Sequence, residues 1–105
     1  MSVKSVLDHH MESLLAGDVD AVMEDYDDDA VLITAGMGTA EGAAAIRTSF
    51  EMIPAEMFDG FEITEEVISG EAAMITWKSN ALSFGTDTFW IRDDKILTQT
   101  VAFQA

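Results

Sequence analysis

The chain has 105 residues, 49% of them hydrophobic, which suffices for a single domain spanning residues 1–105 with one core burying roughly two-thirds of its unfolded surface. Five Lys and Arg face twenty Asp and Glu, a formal charge of −15; Lys4, Arg47, Lys78, Arg92 and Lys95 are too few to assemble a basic patch, so nucleic acid is not an expected partner. The absence of cysteine removes disulfides, thiolate zinc sites and a cysteine nucleophile, and Lys4, Asp8, His9, His10 and Glu12 interrupt the N-terminal segment so that it reads neither as a signal peptide nor as a membrane span, leaving a soluble cytoplasmic protein as the expectation.

In chain order the elements run from helices to strands. Ser2 is placed to cap a helix whose positions Val3, Val6, Leu7, His10, Met11, Leu14 and Leu15 fall on one face, and Gly17 is a natural stop. Asp18 caps a second, short helix over 19–26 with Val19, Val22, Met23 and Tyr26 as its buried stripe, ended by an acidic turn at 27–29. Residues 30–34 read as a short strand, 35–42 as a glycine-punctuated loop, and 43–53 as a third helix, with Ile46 and Phe50 on one face, closed by Pro54. Four strands follow, at 61–68, 72–83, 86–92 and 95–103, with turns at Ser69-Gly70-Glu71, near Phe84-Gly85, and at Asp93-Asp94. Helices followed by hairpin strands imply an α+β domain in which helices cover one face of the sheet.

Strand alternation isolates one ionisable group. Gly85, Asp87, Phe89 and Ile91 share a face opposite Thr86, Thr88, Trp90 and Arg92, and on the last strand Leu97, Gln99, Val101 and Phe103 oppose Thr98, Thr100 and Ala102. The more apolar set belongs on the helix-covered side. A carboxyl among Phe89, Val101 and Phe103 loses hydration, which raises its pKa and favours the protonated form that can donate. His10, in the apolar stripe of the first helix, is positioned to meet it. The candidate constellation is His10, Tyr26, Asp87 and Gln99, with Thr34 and Met37 near the rim and Phe50, Phe89, Val101 and Phe103 as apolar wall. His9 points about 100° away and reads as solvated. The histidines lack paired ligands at i and i+4, so no metal site is expected, and no phosphate-loop or dinucleotide fingerprint calls for a cofactor. Trp77 and Trp90 read as core or interface aromatics. The opposite face, with Thr86, Thr88, Trp90, Thr98, Thr100 and Ala102, is charge-poor and is a candidate homodimer surface.

Three stretches carry a family resemblance: LLAGDVDAVMEDYDDDAVL, EGAAAIRTSF and GTDTFWIRDDKILTQTVAF. Within them, Gly-Asp-x-Asp-Ala-x-x-x-x-Tyr-x-x-Asp-Ala and Asp-(x)4-Arg-Asp-x-Lys-Ile occur in this order and separation. The chain resembles the nuclear transport factor 2-like superfamily, in its SnoaL-like and ketosteroid-isomerase-related branch, over nearly its whole length. The resemblance implies a conical fold, with a strongly curved antiparallel or mixed sheet wrapped around three N-terminal helices and a central pocket, often in a dimer. It places His10 where the isomerase has its oxyanion-donor tyrosine and Asp87 where it has its protonated oxyanion-hole Asp. Thr34 falls where the isomerase has its general base and cannot abstract a proton at neutral pH, so that isomerisation mechanism is not expected.

Three function classes remain. One is an enzyme acting on a small apolar or cyclic molecule by acid–base chemistry of isomerase, cyclase, hydratase or lyase type, with His10 and Asp87 as the catalytic pair. Another is a ligand-binding module without catalysis. A third is a dimerising accessory domain. Buried polar groups cost about 1–3 kcal/mol each when unpaired, which weighs against an idle core and toward a small-molecule pocket.

Overall fold

A computed structural model describes residues 2–105. Three α-helices, a 3-10 turn and six strands follow one another as α1 (Val3–Leu15), α2 (Val19–Met23), β1 (Tyr26–Thr34), β2 (Gly38–Glu41), α3 (Ala43–Glu51), the 3-10 turn Ala55–Phe58, β3 (Glu62–Ser69), β4 (Ala72–Lys78), β5 (Phe84–Arg92) and β6 (Lys95–Gln104). The strands form one mixed, curved and unclosed sheet in the order β2-β1-β6-β5-β4-β3. Only β1 and β6 pair in parallel; the other neighbours are antiparallel. The α+β architecture expected from the element order is the one observed.

The starts of the first two helices have local causes. Ser2 and Ser5 form a reciprocal capping box at the start of α1, and Asp18 accepts a hydrogen bond from the Ala21 amide at the start of α2. The buried face of α1, with Val6, Leu7, His10 and Met11, meets Ile46 of α3 and the inner residues Ala73, Ile75, Phe89, Ile91 and Ile96 of the sheet in one core. Asp93 and Asp94 both adopt left-handed backbone (φ 52° and 64°) and close the β5–β6 hairpin in two residues. No helix among the described residues is long and apolar enough to cross a membrane.

Five expectations change. Tyr26 does not lie on the second helix: α2 ends at Met23, and Tyr26 opens β1, opposite Ile96 of β6. The acidic residues 27–29 lie within that strand rather than in a turn: they span the irregularity between Tyr26, opposite Ile96, and Val31, opposite Thr98, where the strand bulges away from regular pairing. The loop at 35–42 contains β2, which zips back onto Val31–Thr34. Residues 79–83 leave the sheet through a turn in which the Ser79 amide donates to the Leu82 carbonyl (2.9 Å), and Phe84-Gly85 begins β5 instead of turning. On β6 an irregularity opposite Trp90/Ile91 turns Ile96, not Leu97, into the core while Gln99 stays inside; an extra residue in one strand resets its inward set and increases its bend.

Gly85 faces Trp77 across the β4–β5 ladder. A Cβ at Gly85 would stand 2.2 Å from the Trp77 ring, so the indole lies flat over bare backbone. Phe61 stacks on its other side, with centroids 5.2 Å apart. Gly85→Ala must therefore displace a buried tryptophan held between two surfaces. The expected outcome is a lowered urea midpoint corresponding to about 1–3 kcal/mol of lost stability; an unchanged midpoint would show that the ring has room to move.

Candidate functional site

Asp87 occupies the centre of the concave face for a reason of register. On β5 it lies opposite Ile75 of β4 and Val101 of β6. Trp77 and Gln99 are each two residues from those partners, on the same inner face and diagonal to Asp87, within reach of long side chains. Both use that reach. Trp77 Nε1–H donates to Asp87 Oδ1 (2.9 Å), and Gln99 Nε2–H donates to Asp87 Oδ2 (2.9 Å). The Gln99 carbonyl in turn accepts from the Tyr26 hydroxyl, and Tyr26 Oη stands 3.5 Å from His10 Nε2.

Behind His10 the chain of polar groups continues through the buried Asp25 to His9, which is partly exposed. Asp25 Oδ2 lies 3.5 Å from His10 Nδ1, and its two oxygens accept from His9 Nδ1 at 2.8 and 2.9 Å. His10 Nδ1 has no hydrogen-bond partner although it is buried; the Asp25 oxygens are turned to His9. His9 is thus paired with Asp25 rather than merely solvated, and that hydrogen bond raises its pKa. Rings pack around His10 edge-on: Tyr26 at 5.3 Å, Phe89 at 5.4 Å and Phe50 at 6.3 Å between centroids.

Electrostatics separates the groups. Burial pushes the Asp87 carboxyl above its ordinary value, partly opposed by the Trp77 and Gln99 N–H donors and by His10. The Tyr26 hydroxyl is pushed well above its ordinary value, first by burial and then by the carboxylates of Asp87 and Asp25, so it remains a donor across the physiological range.

A cavity of about 460 Å³ opens between the concave sheet and the segment from α3 to Phe61, within the range of small-molecule sites. Asp87, Gln99, Trp77 and Thr34 meet it among apolar side chains that include Met11, Met37, Phe50, Met57, Val101 and Phe103. Asp87 is the only ionisable side chain among the described residues that line it. Among the expected site residues, Thr34, Met37, Phe50, Asp87, Gln99, Val101 and Phe103 line the cavity, whereas His10, Tyr26 and Phe89 lie behind its wall. His10 meets Tyr26 instead of bonding Asp87 directly. No cluster of three or more potential metal ligands occurs among the described residues.

Sequence reading missed Trp77 and Asp25 as partners of the polar chain. Trp77 carried a usable signal, since alternation through 72–78 puts it inside with Ala73 and Ile75. Asp25 carried none, because its position beyond α2 depends on where the helix breaks.

A family model for the SnoaL-like domain matches residues 7–99. The chain belongs to the SnoaL-like domain family. No curated protein matches it in sequence. Among solved structures, an NTF-2 like protein of unknown function from Burkholderia xenovorans LB400 superposes with a TM-score of 0.84 at 23% identity, covering 97% of this chain and 82% of the other. A putative polyketide cyclase from Sinorhizobium meliloti gives 0.78 at 19% identity, covering 96% and 99%. An LEH-like epoxide hydrolase from M. tuberculosis gives 0.76 at 16% identity, covering 97% and 82%. At these identities the SnoaL-like chain shares their fold, and its site rests on its own residues.

The raised Asp87 pKa carries a sign for stability. The folded state holds this proton more tightly than the unfolded chain, so the contribution is fully present below the unfolded carboxyl's pKa and is lost as pH rises through the folded value. Asp87→Asn carries no charge at any pH. The amide puts an N–H donor where one of the two acceptor oxygens stood, facing the Trp77 or the Gln99 donor, a pH-independent cost of about 1 kcal/mol. Urea titrations in parallel should show the parent's advantage over Asp87→Asn shrinking as pH rises from the acid limit; an advantage that grows with pH would mean that Asp87 is held as an ion.

Proposed function

We propose that the cavity binds a small, mostly apolar or cyclic molecule carrying one oxygen acceptor, and that Asp87 addresses that oxygen as a hydrogen-bond donor and general acid. One observation carries the reading: a carboxyl whose pKa is raised by burial, held by two N–H donors, is the only ionisable side chain among the described residues lining an apolar cavity. No cationic side chain among the described residues lines it, so anionic ligands lack a partner there. The chemistry that fits is acid-assisted, of the isomerase, cyclase or hydratase type. Asp87 gives its proton to the ligand oxygen as a C–O bond breaks. A water or a hydroxyl of the same ligand adds to the carbon and returns its proton to the carboxylate, which Trp77 and Gln99 stabilise in the interval. A cyclase and an epoxide hydrolase among proteins of this fold support the class of reaction. Thr34, in the position of the related isomerase's base, favours the second reading, a ligand-binding module in which Asp87 only orients its guest.

A two-ring ketone, 1-tetralone, tests the common part of both readings against tetralin, which has the same skeleton without the oxygen. The parent should prefer the ketone and lower the bound carbonyl's infrared stretching frequency. Asp87→Leu should lose about 1 kcal/mol of that preference, roughly fivefold in affinity, together with the frequency shift. Equal binding of ketone and hydrocarbon by the parent would end the proposal.

We also propose that a second copy covers the outer face of the sheet. The row Ile33, Thr100, Thr88, Met74 and Val67 crosses five strands in register without a charge, and Trp90 beside it is 49% exposed. Two such rows can meet without bringing carboxylates together, with Glu65 on the neighbouring row beside Thr76 and Thr86, whereas much of the rest of a −15 chain repels its copy. Light scattering should report a dimer that tightens with added salt, and Trp90→Ala should weaken it while the monomer keeps its circular dichroism; a monomer at high concentration in both low and high salt would refute this.

A further inference from the structure

The direction of Gln99 in the polar chain is not set by its own chemistry. An amide presents a carbonyl at one end and an N–H at the other, and a half-turn about its last torsion exchanges them at almost no steric cost. With N–H toward Asp87, both carboxyl oxygens accept, one from Trp77 and one from Gln99; a proton on the carboxyl then has only the cavity to point into. With the carbonyl toward Asp87, a protonated carboxyl would donate to Gln99 and have nothing to offer a ligand. Whatever holds the far end of the amide therefore decides whether Asp87 can act.

The far end is held by Tyr26. Its hydroxyl donates to the Gln99 carbonyl, and burial beside Asp87 and Asp25 keeps it from ionising, so it can offer a proton throughout the physiological range. Its oxygen lies 3.5 Å from His10 Nε2. With its proton given to Gln99, that oxygen is an acceptor toward His10, and His10 donates to it through Nε2–H. Donation then runs one way, from His10 to Tyr26 to Gln99 to Asp87. The groups facing this chain are His10 from α1, Tyr26 from β1, Trp77 from β4 and Gln99 from β6, with Asp25 behind His10.

We propose that Tyr26 is a positioning residue: by donating to the Gln99 carbonyl it locks the amide with its N–H toward Asp87, leaving the cavity as the only outlet for the Asp87 proton. Tyr26 lies behind the cavity wall and touches no ligand. The inference deepens the reading of Asp87 as the donor and rests on it for its functional meaning, but its physical content concerns the ligand-free protein.

The test is a carbon-13 carboxyl titration of the ligand-free protein labelled at aspartate, with the Asp87 signal assigned by its loss in Asp87→Asn. Tyr26→Phe frees the amide, removes directed donation to the Asp87 carboxylate, and should move the Asp87 midpoint upward. The chain contains one tyrosine, so biosynthetic 3-fluorotyrosine modifies Tyr26 alone; fluorine acidifies the phenol, strengthens its donation through Gln99, and should move the midpoint downward. A packing role alone would not produce shifts of opposite sign. If Tyr26→Phe fails to fold, the fluorinated protein decides: a lowered midpoint supports the proposal, and an unchanged or raised one overturns it. With both proteins folded, an unmoved midpoint or two shifts in one direction overturns it as well. In the tetralone assay Tyr26→Phe should lose most of the carbonyl shift. If the parent ignores tetralone while the midpoints move as stated, the ligand reading fails and the positioning role of Tyr26 stands.

Discussion

Everything in the site depends on keeping one carboxyl dry without giving it a cation. Burial of an isolated carboxylate in an apolar interior costs far more than a small domain's stability margin, so the group must shift its pKa, find donors, or both. Asp87 does both. The two donors cannot come from just anywhere in the fold. They must sit on the inner face of the adjacent strands, diagonal to Asp87, and be long enough to reach, which is the geometry of Trp77 and Gln99. Trp77 reaches only because Gly85 lets the indole lie flat against β5. Gln99 faces inward together with Ile96 only because β6 carries an irregularity between them.

The same constraint orders the charges of the whole chain. Most of the twenty acidic residues face water, and only a minority form ion pairs, such as Glu71 with Arg92 and Asp8 and Glu66 with Lys4, where exposure makes each pair worth little. An ionised Asp87 would add one more negative charge to that excess. A surface rich in carboxylates and a buried carboxyl that resists ionisation are therefore compatible parts of one electrostatic arrangement. They also define what the cavity admits, since no cation among the described residues lining it offsets the field for an anion.

The α+β order, the inward face of β5 and the helical stripe of α1 were all legible because each is a periodicity carried by consecutive residues. Asp87 stood out for that reason. Features created by pairing between distant segments were not legible. Tyr26 reads as the last residue of a helical stripe, yet its backbone pairs with Ile96 of β6, and a parallel ladder begins where local propensity favours a helix or turn. Leu97 and Ile96 are equivalent to a period-two reading until a bulge chooses between them. Asp25 acquires its partners only once α2 has ended early enough to turn it back toward α1. His10 was placed on the correct face of its helix, but alternation cannot say that Tyr26 and Gln99 stand between it and Asp87.

The cavity divides into a firm half and a yielding half, and the division matches what a pocket for an apolar guest requires. Asp87, Gln99 and Trp77 stand on paired strands, each fixed by hydrogen bonds, so the direction in which a proton is offered is set before anything binds. The opposite wall is drawn from α3, the 3-10 turn and the loop between β1 and β2, and it carries Met37, Met52, Ile53 and Met57. Methionine is unbranched and polarisable, and it adapts to irregular shapes. Met37 and Met52 are about three-quarters exposed at the rim, where their own packing does not lock them. Orientation thus resides in the sheet and shape tolerance in the helical side, so a ligand's single polar atom is held to a narrow geometry while its hydrocarbon frame can vary.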